Sequence, residues 1–219
     1  MRILLIVALA FSIYACGDSN PRTETPKPIP GADSIAIVKE LILKDSLNPQ
    51  LWQNLYELQI AKGDTAAALR ALKLYTYLVP VDGDAWLELA WLLADQKDPQ
   101  VLVVADSLQK VDDVTLRTKA KYITGVYYAN LEQYDRAISI FDSVIISNYS
   151  FVDAYMEKGI ILYDQKKYEQ ALKTFQQAFL IKKNDPEIFL WISKSYEGVG
   201  NKAEAEDWKK KYDALTNAK

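Results

Sequence analysis

The residues that could carry chemistry in this 219-residue chain are carboxylates and a single cysteine. Two carboxylate pairs, Asp153 with Asp164 and Glu88 with Asp95, could in principle act as general acid and base. Each pair lies in a segment whose apolar spacing already predicts a helix, and charges on helix faces are usually solvated. The chain has no histidine, the side chain most used for proton transfer near neutral pH. We therefore predict that the protein is not an enzyme.

Sequence motifs for nucleotides, phosphates and metals are also missing. No glycine-rich phosphate loop, dinucleotide fingerprint or nucleophile elbow occurs in the sequence. The one cysteine, Cys16, allows neither a disulfide within the chain nor a cysteine-based zinc site. We expect no cofactor and no bound metal.

The charge balance argues against a nucleic-acid partner. The formal net charge of the chain is −3. A nucleic-acid-binding protein should show a basic stripe. The only dense basic cluster is residues 209–211, near the C-terminus, where lysines also complement a helix dipole. We predict no nucleic-acid binding.

Residues 1–15 have the composition of a signal peptide. Arg2 supplies the positive charge, and an unbroken apolar stretch follows at residues 3–11. That stretch is too short to span a bilayer, which requires about 20 apolar residues. The segment ends in Ile-Tyr-Ala-Cys at residues 13–16, which resembles the lipobox of bacterial lipoproteins. The resemblance implies that Cys16 is acylated, as by palmitate, and becomes the first residue of the mature chain.

Two other interpretations of Cys16 are a buried thiol after an N-terminal helix and a residue of an uncleaved signal anchor. Lipidation is favoured because the only cysteine falls where the apolar stretch stops. Residues 16–32 contain four prolines, which predict a stiff, extended linker. The lipobox implies a protein tethered in the envelope of a Gram-negative bacterium. Gly17 in place of the aspartate that retains lipoproteins in the inner membrane favours the outer membrane.

A 34-residue period dominates the rest of the sequence. Gly125, Tyr134, Ala137 and Phe141 return as Gly159, Tyr168, Ala171 and Phe175. The same step continues to Ser193 and Ala205, and it pairs Trp52 and Leu55 with Trp86 and Leu89. A fixed period of this length indicates a stack of structural repeats. Few glycines and few alternating β-branched residues favour helices over strands.

The recurring residues resemble the tetratricopeptide repeat (TPR), a helix-turn-helix unit. The resemblance implies an all-α fold, a right-handed α-solenoid of about five TPR units. The TPR domain is predicted at 49–219, with units at 49–82, 83–117, 118–151, 152–185 and 186–219. A helix from about Ile35 to Ser46 lacks the residues of a whole unit. We therefore predict an N-terminal capping helix within 33–48.

Two units depart from the repeat pattern. In the second unit, the apolar stripe of the second helix is displaced by about two residues and consists of Val101, Val104, Ala105, Leu108 and Val111. In the fifth unit, Lys209 occupies a position where the repeat pattern expects an aromatic residue, and Trp208 lies one position earlier. The last helix is polar, which suits the end of a solenoid because no further unit stacks on it. Glycine inside a helix costs about 1 kcal/mol relative to alanine. Gly125 and Gly159 are therefore predicted to be sites of close helix packing.

The likeness to TPR proteins also implies a binding groove. In that family the first helix of each unit lines the concave face. Carried onto this chain, the central groove positions are Leu87, Trp91, Tyr122, Val126, Met156, Ile160 and Tyr163. Carboxylates flank them, so the groove suits an extended or helical peptide with apolar anchors and basic flanks. Trp91, Tyr122, Met156 and Tyr163 would be the anchors on the protein side.

The sequence thus predicts a membrane-anchored TPR adaptor or scaffold that binds another envelope protein or peptide, with its domain in the periplasm or at the surface. An alternative stays open, in which the groove residues are covered within the molecule or by a second protomer. The chain would then be a self-associating structural lipoprotein of an envelope assembly, of the β-barrel or pilus biogenesis type, without a peptide in the groove.

Overall fold

In the computed structural model, residues 32–217 are described, and within them the chain forms eleven α-helices and no strand. The helices are α1 (Ala32–Lys44), α2 (Pro49–Lys62), α3 (Thr65–Leu78), α4 (Gly83–Asp95), α5 (Gln100–Gln109), α6 (Val114–Asn130), α7 (Tyr134–Ser147), α8 (Val152–Asp164), α9 (Tyr168–Ile181), α10 (Pro186–Gly198) and α11 (Lys202–Thr216). The predicted signal peptide, the lipidation site Cys16 and residues 16–31 of the predicted linker lie outside the described residues.

The helix starts are fixed by capping side chains. Asp64 accepts a hydrogen bond from the backbone N–H of Ala67 at 3.0 Å, and Asp82 accepts one from Ala85 at 3.0 Å. These carboxylates satisfy donors that have no partner inside the helix. At the end of α2, Gly63 adopts a left-handed conformation with φ of 78°, which glycine adopts without steric cost.

The helices form an array in which each hairpin contacts its neighbours along the chain. Five hairpins pair α2 with α3, α4 with α5, α6 with α7, α8 with α9 and α10 with α11. The second helix of each hairpin packs against the first helix of the next, and α1 packs against α2. This arrangement is that of an α-solenoid, so the predicted fold class is confirmed.

The 34-residue echo marks two places where the helices of a hairpin pack closely. Phe141 of α7 and Phe175 of α9 are fully buried. A Cβ atom on Gly125 would lie 2.6 Å from Cε1 of Phe141, and one on Gly159 would overlap the Phe175 ring in the same way. The two helices of a hairpin can approach this closely only because no side chain separates them. Both glycines are packing positions, as the sequence predicts.

The second hairpin differs from the sequence prediction at its end. Val101, Val104, Ala105 and Leu108 of α5 are buried, as the displaced stripe predicts. Val111 is 36% exposed and lies beyond the end of α5, so its inclusion in the buried stripe was wrong. The helix ends after ten residues because the chain turns at 110–113, where the Asp113 carboxylate caps α6 through the backbone N–H of Leu116.

The last hairpin keeps an aromatic side chain in spite of its altered pattern. Trp208 of α11 packs edge-on against Phe179 and Phe189, with ring centroids 5.1 and 5.5 Å apart. Lys209 instead lies over the ring of Tyr212. Apart from these contacts α11 is polar, and Ala205 is its only buried residue. The outer face of this last helix therefore meets solvent, as an array end requires.

Candidate partner-binding site

A pocket of about 570 Å³ opens on the face that α4, α6 and α8 share. It is lined by the apolar or aromatic residues Leu87, Trp91, Tyr122, Ile123 and Phe151 and by the charged residues Asp84, Glu88, Lys119 and Asp153. These residues come from the first helices of three successive hairpins and from the turn before α8. The pocket therefore exists only because the hairpins stack in register.

Trp91 is the most accessible aromatic side chain of this pocket. It is 42% exposed, and its ring meets the edge of the Tyr122 ring at a centroid distance of 5.7 Å. A half-exposed tryptophan offers a large apolar surface at little cost in conformational entropy, which is typical of binding hot spots. Trp91 is one of the anchors that the sequence predicts, and the structure leaves its ring partly accessible.

Tyr122 lies in the pocket lining but belongs mainly to the core. It is only 8% exposed, and its ring packs against Phe151 and Phe141 at centroid distances of 5.1 and 5.7 Å. Neighbouring core side chains therefore cover most of the Tyr122 surface, which the sequence analysis assigned to a partner. A substitution of Tyr122 by a small residue would disturb folding as well as binding.

Carboxylates gather around the hydroxyl of Tyr122. Burial raises the pKa of Tyr122, and the nearby negative charges of Glu157 and Asp153 raise it further. Burial likewise raises the pKa of Glu157, with added repulsion from Glu187 and Asp153, while the Tyr122 hydroxyl lowers it in part. Sequence reasoning missed Glu157; its spacing of four residues from Asp153 on α8 was the available signal.

The negative field continues towards α2. Burial raises the pKa of Tyr56 to about 12, and the adjacent carboxylate of Glu88 adds to this effect. Glu88 also lines the pocket, together with Asp84 and Asp153, whereas Lys119 is the one cation of the lining. The site thus combines an aromatic surface with an excess of negative charge. A ligand with an apolar group beside a cation complements both features.

The structure does not bring the remaining predicted groove residues into this pocket. Met156 is buried, and Ile160 packs against the cluster that joins α8, α9 and α10. Tyr163 packs against Tyr168 and Trp191, with ring centroids 5.2 and 5.4 Å apart. Val126 lies against the cluster that contains Phe141. Of the seven predicted groove residues, Leu87, Trp91 and Tyr122 line one pocket, and the other four contribute to packing between hairpins.

Two general features of the described part bear on function. Between residues 32 and 217, no group of three or more histidine, cysteine, aspartate or glutamate side chains is arranged to hold a metal ion. None of the helices in this range is both long and apolar enough to cross a membrane.

The sequence matches the tetratricopeptide repeat family over residues 57–101 and 124–187. The stacked helix hairpins define the same architecture, an all-α solenoid of TPR units. The chain belongs to the tetratricopeptide repeat family. No curated protein matches it.

Several solved structures share this fold. The chain is similar to MamA at 25% identity and a TM-score of 0.56, over 75% of this chain and 95% of MamA. A MamA fragment from Desulfovibrio magneticus RS-1 is 18% identical with a TM-score of 0.59, over 78% and 96% of the two chains. PilW, described as a widely conserved type IV pilus biogenesis factor, is 14% identical with a TM-score of 0.66, over 83% and 84%. These likenesses concern the architecture.

Proposed function

We propose that this TPR scaffold is a membrane-anchored adaptor that holds a segment of another envelope protein in the pocket between α4, α6 and α8. The observation that carries the proposal is the half-exposed Trp91, which lies beside Leu87 in a pocket with three carboxylates. One edge of the Trp91 ring packs against Tyr122, and the exposed remainder of the ring offers an apolar surface for recognition in a charged pocket.

The chemistry of the pocket defines the partner segment. It carries an aliphatic or aromatic side chain that packs on Trp91, with lysine or arginine next to it. Asp84, Glu88 and Asp153 line the pocket and complement that cation, and an arginine could also stack on the indole ring. An acidic segment would meet like charges on most sides.

The proposed location rests on the sequence of the N-terminus. Acylation of Cys16 after removal of residues 1–15 would tether the array to the envelope, with the outer membrane favoured by Gly17. The fold is compatible with such a role, since PilW is described as a type IV pilus biogenesis factor. Identifying the bound partner would show which envelope assembly this chain serves.

Site-specific photo-crosslinking in the native envelope tests the pocket. A crosslinker next to Trp91, for example at Glu88, should capture one protein, and Trp91→Ala should reduce that capture about tenfold or more, as expected for a hot spot. Val103→Ala is the matched control, because Val103 is exposed on α5 outside the pocket. Tyr122→Phe keeps the buried ring and removes only the hydroxyl, so it reports on the polar part of the site.

Capture that Trp91→Ala leaves unchanged would refute the pocket as the binding site. Capture of a second copy of the same chain would support the alternative, a self-associating structural lipoprotein.

Membrane attachment is tested separately with Cys16→Ser. The substitution removes the acylated thiol, so the protein should leave the membrane fraction and appear in the soluble fraction of the envelope. The mature wild-type chain should show the mass of the attached acyl chains by mass spectrometry. Wild-type protein with an unmodified Cys16 would contradict the anchor.

A further inference from the structure

An exposed apolar side chain recurs near the end of α1 and of the second helix in every hairpin. It is the penultimate residue of five helices: Leu43 in α1, Tyr77 in α3, Ile146 in α7, Leu180 in α9 and Leu215 in α11. In the shortened second hairpin, Val111 takes this place just beyond α5. Successive members are 34 or 35 residues apart, so they follow the period of the array.

A second set of exposed apolar residues follows three or four positions later. It consists of Leu47, Val81, Val114 and Tyr149, in or next to the turns that lead into the following hairpin. We refer to these ten residues together as the apolar edge. Eight of them are between 67% and 90% exposed, and Val111 and Leu215 are each 36% exposed.

The repeat places these residues along one side of the molecule. Equivalent positions in successive units of a solenoid recur on the same side of neighbouring units. Nine of the ten residues lie in or near the turns that precede a hairpin, and Leu215 lies at the end of the last helix. Single exposed apolar residues are common on protein surfaces. Ten of the fifteen large apolar residues exposed within 32–217 share this edge. Core packing does not account for the eight that are 67–90% exposed, because their side chains face solvent.

We propose that the apolar edge is seated in the surface of the lipid bilayer to which the chain is tethered. This inference rests on the anchoring proposed for Cys16. Side chains that are 67–90% exposed project from the surface instead of forming a flat patch. A folded protein partner would need a separate cavity for each of them at the spacing of the array. The fluid surface of a bilayer, in contrast, can surround apolar side chains at any spacing.

The length of the tether brings the edge to the membrane. Residues 16–31 separate the proposed lipid anchor from α1, and an extended chain of that length spans at most about 55 Å. A tether of this reach gives the edge a high effective concentration at the lipid surface, so weak contacts from single turns suffice. Seating along the whole edge would hold the long axis of the array parallel to the membrane.

The charges beside the edge favour apolar insertion over attraction to anionic lipids. Both signs occur, and several pairs neutralise each other, such as Lys110 with Asp106 at 2.7 Å and Lys182 with Asp185 at 2.8 Å. The edge is therefore not a basic patch. Its contact with a zwitterionic bilayer should depend little on salt, unlike a contact made by basic clusters.

Fluorescence of single introduced cysteines tests the contact. Full-length acylated protein is placed in vesicles of zwitterionic lipid, with an environment-sensitive dye on Ile146→Cys or Val81→Cys. Cys16 carries acyl chains in this form and offers no free thiol. Both edge labels should shift to the blue, gain intensity severalfold and be quenched by nitroxide lipids, equally at 0.1 and 1 M salt.

Lys167→Cys is the matched control, because Lys167 is exposed in the turn between α8 and α9, at the opposite ends of the helices. Its label should stay aqueous. Replacing Ile146 and Tyr149 together by serine should lower the lipid quenching of the Val81 label at least threefold. Both residues are exposed, so the far-ultraviolet circular dichroism should not change.

Flotation of the vesicles separates the two proposals. Protein that floats with aqueous edge labels would refute the edge and leave the anchor intact. Protein that fails to float would refute the anchor, and lipid quenching of the labels in added vesicles would then decide the edge by itself. Shielded labels in a lipid-free dimer would identify a second copy as the occupant and overturn the proposal.

Discussion

At the scale of single residues, the contact between Gly159 and Phe175 is among the closest in the array. The phenyl ring lies where a Cβ of residue 159 would be, and the pair repeats as Gly125 and Phe141. These identities were predictable from the sequence, because a glycine in a helix at a fixed period needs a packing reason. The sequence did not show which atoms meet.

Gly159→Ala should lower the free energy of unfolding. Overpacking costs about 1–3 kcal/mol, and the better helix propensity of alanine offsets up to about 1 kcal/mol of it. Denaturant unfolding measures the change. Phe175→Leu makes room for the new methyl group, so the double variant should be more stable than the sum of the two single changes predicts. Additive losses would show that the ring does not set the requirement for glycine.

Tyr122 and Trp91 illustrate the limit of the sequence at this scale. Both are aromatic residues at groove positions, and both line the pocket. Only Trp91 keeps a large exposed surface, since Phe141 and Phe151 cover the ring of Tyr122. Exposure depends on what the neighbouring hairpin places over a side chain. The 34-residue pattern does not predict how exposed the side chains are at positions that vary from repeat to repeat.

At the scale of helices, α5 and α11 are the two elements that depart from the repeat. In α5 the apolar stripe predicted four of the buried residues, but the helix stops at Gln109 and leaves Val111 beyond its end, 36% exposed. In α11 the sequence showed a misplaced aromatic, and the structure shows Trp208 in contact with Phe179 and Phe189. A helix can rotate slightly to bring a displaced side chain into contact, which a residue-by-residue pattern does not anticipate.

Trp208→Ala should release α11 from the array. Trp208 is the large apolar side chain that joins this polar helix to a hydrophobic cluster, and its loss should cost about 2–4 kcal/mol, somewhat below the range for a fully buried tryptophan. Hydrogen exchange should then become fast in α11 and stay slow in α6–α9. Lys209→Ala is the control and should change stability by less than about 0.5 kcal/mol. Equal effects of the two substitutions would contradict the role of Trp208.

At the scale of the whole molecule, stability should be highest in the middle of the array. Large, fully buried side chains such as Ile123, Phe141 and Phe175 lie in α6, α7 and α9. The two ends have less cover, with Val38 and Ile42 as the buried apolar residues of α1 and Ala205 as that of α11. Because each hairpin contacts only its neighbours, end units open more easily than internal ones.

Native-state hydrogen exchange should show this gradient directly. The slowest amides are expected in α6–α9, and those of α1 and α11 should exchange at least about tenfold faster, since each end can open without the rest. Tethering the chain in vesicles provides a comparison, because seating of the apolar edge would add protection to the turns between hairpins. Uniform protection along the chain would indicate a single cooperative unit instead of a solenoid with weak ends.

The sequence by itself determined the class of fold, the period and the packing glycines, because contacts within and between neighbouring units recur every 34 residues and leave the same residues at the same positions. Only the tertiary structure decided which variable residues are accessible. It packed Tyr122, Met156 and Tyr163 against neighbouring side chains, left Trp91 half exposed and left ten large apolar residues exposed near the ends of helices. The reason is that accessibility is set by neighbours from other hairpins, whose relative placement no local pattern encodes.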